Sequence, residues 1–175
     1  MLLLSSEIVS AAVLVIGLTA CCFDVATRRI PNLLTVGAAA TGLAFALLTG
    51  GLPGLALSLG GLAVGLAIFF PIFLLRGIGA GDVKLLACLG AWLGPLGALW
   101  TALYAALVGG AMAVIVILSR GYVKQAFANI RLLLTHLRVV GLEPLPELTL
   151  ERGRGPRLAY AVPIFTGALV TLWLR

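Results

Sequence analysis

Long apolar runs separated by short polar breaks dominate this chain, and the runs have the length of membrane-crossing helices. They occupy residues 8–23, 33–49, 55–75, 84–97, 98–119 and 158–174. The fourth and fifth arise from one apolar stretch, 85–119, which is too long for a single crossing of a hydrocarbon core about 30 Å thick. Gly94-Pro95-Leu96-Gly97 is the turn signal inside it, so the break is placed there. The pattern predicts an all-α fold of about six transmembrane helices in one membrane-embedded domain, 1–175, with no separate soluble domain.

Between the fifth and sixth runs the period changes. Val123, Phe127, Ile130, Leu134 and Leu137 recur at steps of three and four, while Lys124, Arg131 and Arg138 recur at steps of seven. A basic amphipathic helix is expected over 123–138, lying on an anionic membrane surface. The stretch 141–157 carries Pro144, Pro146, Gly153, Gly155 and Pro156 together with Glu143, Glu147 and Glu151, and reads as loop.

Composition agrees with the pattern: 62% of the 175 residues are hydrophobic and 10% charged, with a mean hydropathy of +1.18. The net charge of +6 would point to nucleic acid in a soluble protein. Here the basic residues sit between the apolar runs, where they set orientation, and no nucleic-acid partner is expected. Of twelve Lys and Arg, all but Arg175 fall on one side: Arg28 and Arg29 after the first run, Arg76 and Lys84 around the third connection, and the remainder between the fifth and sixth runs. The connections 50–54 and 94–97 carry no charge. Both chain ends are therefore expected outside, with the basic loops cytoplasmic. Leu18-Thr19-Ala20-Cys21 resembles a lipoprotein cleavage box, but only Glu7 is charged before the run and the basic pair follows it, as in a retained first helix.

Chemistry has few candidates. Cys21, Cys22 and Cys88 lie in apolar stretches without metal-ligand spacing, and His136 is the only histidine, so no disulfide, zinc site or other cofactor is expected. Gly60, Gly61, Gly65, Gly109 and Gly110 are expected to let helices approach closely. The only aspartates are Asp24, ending the first run, and Asp82, opening the fourth. Ionisable groups at membrane depth are costly and mark function. Since those runs travel in opposite directions, both carboxyls should reach the same cytoplasmic boundary, where two close carboxyls share a proton. Each has an ordinary role available on its own: Asp24 can pair with Arg28 one turn on, and Asp82 can be the N-cap of a helix beginning at Val83. Two aspartates at one depth point instead to the acid-base pair of an aspartic protease.

Gly79-Ala80-Gly81-Asp82-Val83-Lys84-Leu85 contains a GxGD motif, and Asp24-Val25-Ala26-Thr27-Arg28-Arg29-Ile30-Pro31-Asn32-Leu33-Leu34-Thr35 resembles the first aspartate segment of type IV prepilin peptidases. Tyr160-Ala161-Val162-Pro163 with Gly167-Ala168-Leu169 resembles that family's closing segment. The resemblance implies a bacterial inner-membrane enzyme whose site faces the cytoplasm and removes the short basic leader of prepilins or pseudopilins. It gives Asp24 and Asp82 the catalytic role and places Gly79, Gly81 and Lys84 beside the substrate. Glycines before the aspartate suit an extended substrate strand lying close to the backbone. The paired CxxC motifs of the large bifunctional members have no counterpart, so cleavage is expected and N-methylation is not. The compact peptidases of Flp/Tad pilus systems are the nearest in form.

Two other readings compete. Presenilin-like and signal-peptide-peptidase-like GxGD proteases carry a YD-type first motif in mid-helix, whereas Asp24 stands beside Arg28 and Arg29 at a run's end. A small transporter or assembly protein binding cations or protons through the aspartates would need polar residues near the bilayer midplane. The second, third and fifth runs offer only scattered Thr, Ser and Tyr.

Overall fold

A computed structural model describes residues 2–75, 77–121, 123–124, 128, 131–132, 135 and 159–174. Its helices are α1 (Leu2–Thr27), α2 (Asn32–Leu74), α3 (Ala80–Ser119) and α4 (Ala161–Trp173), and no strand occurs among the described residues. The first three are long and apolar enough to cross a membrane, and α4 is a shorter apolar helix. α1 extends one turn beyond the expected 8–23, so Asp24 lies inside it. The basic amphipathic helix expected at 123–138 falls mostly outside the described residues; Val123, Lys124, Arg131 and Thr135 are helical. The expected loop at 141–157 lies outside them.

Two glycines interrupt the long helices. Gly51 has φ 59° and ψ −152°, and Gly94 has φ 73° and ψ 178°. These angles are open to glycine and costly for any residue with a Cβ, and Pro53 and Pro95 follow closely, so regular helix cannot run through. The chain turns back at each. A Cβ on Gly54 would strike the carbonyl oxygen of Ala46, and one on Gly90 would lie 3.1 Å from the Cβ of Ala98. Residues eight apart in a straight helix are about 12 Å apart. α2 and α3 are therefore each folded into two antiparallel arms; the break in α2 falls between the runs 33–49 and 55–75, and that in α3 falls at Gly94, at the start of the expected turn 94–97.

The first arm of α3 is the centre of the bundle. Leu85, Leu86 and Leu89 are wholly buried. Both arms of α2 lie against it: the Trp92 indole N–H donates to the Ala38 carbonyl at 2.8 Å, and the Ser58 hydroxyl donates to the Ala91 carbonyl at 2.6 Å. Gly61 meets Gly90 backbone to backbone, and a Cβ on Gly65 would lie 2.7 Å from the Cα of Ala87. Small residues at such crossings give dispersion contact where lipid removes any hydrophobic drive between helices. α4 runs antiparallel to the second arm of α3, with a Cβ on Gly167 falling 2.6 Å from the Thr101 carbonyl oxygen. It also runs antiparallel to α1, where Phe165 fills the space over Gly17.

The outer surface is apolar. Leu33 is 87% exposed, Leu48 84% and Val15 65%, an arrangement that water penalises and lipid does not. With three helices of crossing length, this makes the chain an integral membrane protein.

Candidate active site

α1 stops just beyond Asp24. Arg28 takes a left-handed φ of 55°, the Thr27 hydroxyl donates to the Phe23 carbonyl at 2.8 Å, and Pro31 at φ −61° opens α2. Proline fits there because the first amides of a helix need no partner within it. This tight connection keeps Asp24, Ile30 and Asn32 at one end of the bundle.

α3 opens at the same end. Gly79 is its N-cap, extended at φ −79° and ψ 151°, and the Gly79 N–H donates to Asp82 Oδ2 at 3.2 Å. Asp82 is thus the third residue of a helix starting at Ala80. The ordinary role open to it from the sequence, N-cap of a helix beginning at Val83, is therefore not the one it takes. The correction follows from Gly79-Ala80-Gly81 entering the helix despite its two glycines, because the Asp82 carboxylate returns to the N-cap amide and favours the first turn through the helix dipole.

Asp24 and Asp82 are each buried to 9% exposure, and their carboxyls are close enough to act on each other electrostatically. Asp24 Oδ2 accepts a hydrogen bond of 3.1 Å from the backbone N–H of Ala161, the first residue of α4. Tyr160, just before it, lies within the electrostatic reach of Asp82, and its ring meets the edge of Phe69 with centroids 5.8 Å apart. α1, α3 and α4 therefore converge on the pair, and the second arm of α2 closes it through Phe69.

The other expected residues stand nearby in different settings. A Cβ on Gly79 would lie 3.3 Å from Asp82 Oδ2, so this glycine borders the carboxylate directly. Gly81 does not: the Ile30 side chain occupies its free side, 3.2 Å from where a Cβ would be. Its bareness serves packing between the α1–α2 connection and α3. The Lys84 ammonium donates to the Asn32 side-chain oxygen at 2.8 Å, tying the start of α3 to the start of α2. Among the described residues, no group of three or more His, Cys, Asp or Glu comes together that could hold a metal ion.

Tyr160, Ala161, Asn32 and Phe69 belong to this constellation although the sequence did not single out a role for them. The signals were the closing segment Tyr160-Ala161-Val162-Pro163 and, for Asn32, the first aspartate segment; Phe69 had none.

Such an arrangement defines a helical membrane protein with two buried, mutually interacting carboxyls at one end of its bundle. The sequence model of the type IV leader peptidase family matches residues 11–114, more than half of the chain, and the chain belongs to that family, whose members are proteases. Both aspartates and all four arms of α2 and α3 overlap the matched stretch, whereas α4 lies beyond it. No curated protein and no solved structure matches the chain.

Proposed function

We propose that this protein is an aspartic endopeptidase of a bacterial inner membrane that cuts the short basic leader from Flp/Tad-like prepilins or pseudopilins at the cytoplasmic face. The observation that carries the reading is the burial of Asp24 and Asp82 within electrostatic reach of each other, at the ends of two helices from a family of leader peptidases. One carboxylate takes a proton from water as the oxygen attacks the scissile carbonyl, and the protonated partner gives its proton to the carbonyl oxygen. Collapse of the tetrahedral intermediate then expels the amine, which leaves with a proton from one carboxyl while the other carboxylate takes the proton of a hydroxyl of the intermediate, so the pair again holds one proton. Gly79, beside Asp82 and without a side chain, leaves room for an extended substrate backbone.

In this reading each arm of α2 and α3 crosses the bilayer, as do α1 and α4. Both chain ends lie outside, and the aspartates lie with the basic loops at the cytoplasmic boundary. A leader of basic residues would then approach from the cytoplasm while the apolar helix that follows it in the substrate stays in lipid.

The test is co-expression with a prepilin carrying such a leader, next to Asp24→Asn and Asp82→Asn. The wild-type chain releases the leader and neither variant does, although both remain in the membrane. Cleavage at the normal rate by either variant would sink the assignment.

A further inference from the structure

The hydrogen bond between Ala161 and Asp24 joins the site to a helix outside the stretch matched by the family. The first amides of a helix have no acceptor within it. Ala161 is wholly buried, so its N–H depends on Asp24 as its acceptor. The carboxylate gains in turn: it lies near the negative end of the α1 dipole and faces the positive end of α4.

The place of that amide is fixed by close fits along α4. The Tyr160 ring occupies the space over Gly109, where a Cβ would lie 2.8 Å from Cε2. Gly167 abuts the backbone of Thr101 and Ala105, and the buried hydroxyls of Thr101 and Thr171 meet at 3.3 Å. Together these contacts leave α4 little freedom to slide or turn.

We propose that α4 positions the catalytic pair: the Ala161 amide holds the Asp24 carboxylate facing Asp82, and Tyr160, seated on Gly109, sets where that amide stands. This rests on the aspartic-protease reading above. Ala161 and Tyr160 act through Asp24, as positioning residues, and need not touch the substrate.

The test uses the full-length protein in membranes, with cleavage of a co-expressed or purified prepilin followed across pH. Ala161→Pro removes the N–H, and Ala161→Gly keeps it. Gly167→Ala leaves the amide intact but pushes α4 away from α3. The expected result for Ala161→Pro is a loss of about tenfold or more in kcat, the size of a lost hydrogen bond to a charged group. The acid limb of its pH profile moves to higher pH, because a carboxylate deprived of a donor holds its proton more firmly. Cys21 on α1 and Asp82 on α3 face Asp24, and Tyr160 on α4 faces Asp82; all are retained in every variant. Ala161→Gly keeps the wild-type profile, and Gly167→Ala moves the limb in the same direction as Ala161→Pro by a smaller amount. A wild-type rate and profile in Ala161→Pro would overturn the proposal. Should that variant fail to accumulate, Gly167→Ala decides: a displaced limb supports the proposal and an unmoved one refutes it. Activity in Asp24→Ala would instead refute the parent reading, whatever the α4 variants do.

Discussion

At the end of the bundle where α1 stops and α3 begins, polar atoms join one helix to the next. Asp24 binds the amide of Ala161, Lys84 binds Asn32, and Asp82 turns back onto Gly79. At the opposite end the helices meet through glycine turns at Gly51 and Gly94, through the stacked rings of Phe45 and Trp92, 5.4 Å apart, and through uncharged hydrogen bonds, Trp92 to Ala38 and Ser58 to Ala91. A cavity of about 590 Å³ is left there, lined in part by Ser10, Phe45, Thr49 and Trp92. Small residues suffice to dock helices in lipid, so stability alone does not require buried carboxyls. Their confinement to one end, where each also costs desolvation, is what the proposed function accounts for.

The largest effect that can break this contrast is loss of the pair. Asp24→Ala and Asp82→Ala should each lower kcat by about 10²–10⁴-fold, the usual contribution of positioned acid-base groups. The double variant should be no worse than either single one, because the two residues act as a unit. Additive losses would mean two independent contributions rather than a dyad. Orientation is checked by fused reporters: positions after Arg29 and Arg138 should read cytoplasmic and one at Gly51 exterior. An exterior signal after Arg29 would put the aspartates on the wrong face.

Glycine substitutions sharpen the comparison next. Gly61→Val drives a side chain into the backbone of Gly90 and should destabilise the bundle by at least the roughly 1–3 kcal/mol typical of overpacking, read as loss of folded protein. Gly81→Val meets only the Ile30 side chain, which can shift. It should leave the protein inserted but slow cleavage about tenfold, since the α1–α2 connection is pushed away from the start of α3 and with it the residues flanking Asp82. Equal accumulation and equal activity of both variants would contradict the division between a structural end and a chemical one.

How far the sequence reveals all this differs by element. Apolar runs gave the helices and the Gly94-Pro95 turn, because length and the glycine-proline signal are properties of consecutive residues. The two aspartates were legible because nothing else in the chain competes with them. The start of α3 at Ala80 was not, since two glycines argue against helix and only the return of Asp82 to the Gly79 amide reverses that. The Ala161 amide was invisible for a deeper reason: a backbone N–H is present at every residue but proline, and only the tertiary register of α4 on Gly109 and Gly167 selects this one. Nor does a bare glycine such as Gly81 announce in the sequence that Ile30 fills the space it leaves.

A smaller effect is expected at Lys84. Its ammonium, bound to Asn32 at 2.8 Å and otherwise exposed, links helix starts without reaching into the core. Exposed polar contacts of this kind contribute little on their own. Lys84→Met should reduce cleavage a few-fold, roughly the value of one modest hydrogen bond, and Asn32→Ala should do the same. The combined variant should lose no more than the worse of the two. Full independence of the losses would instead give Lys84 a separate contact with substrate, as the resemblance implies.

The smallest effect concerns the thiols. Cys22 is exposed on α1, Cys21 is half-buried one turn before Asp24, and Cys88 is buried in the first arm of α3 with its Sγ donating to the Leu85 carbonyl at 3.2 Å. None has the electropositive, partly exposed setting that makes a thiol nucleophilic, and Cys88 is used inside its own helix. Replacing all three with Ser or Ala should therefore change kcat by no more than about two-fold, with a small stability loss at Cys88, where a shorter side chain leaves a void in a close-packed core. Cys88→Ser should keep more stability than Cys88→Ala, because its hydroxyl can reach the same carbonyl. Alkylation of the native protein is a different matter: an adduct on Cys21 stands one turn from Asp24 and can obstruct the pair by bulk alone. Leader cleavage by the cysteine-free protein, compared before and after alkylating reagent, separates the two effects. An inactive but inserted and abundant cysteine-free protein would show that a thiol takes part in the chemistry and that two carboxyls do not account for it.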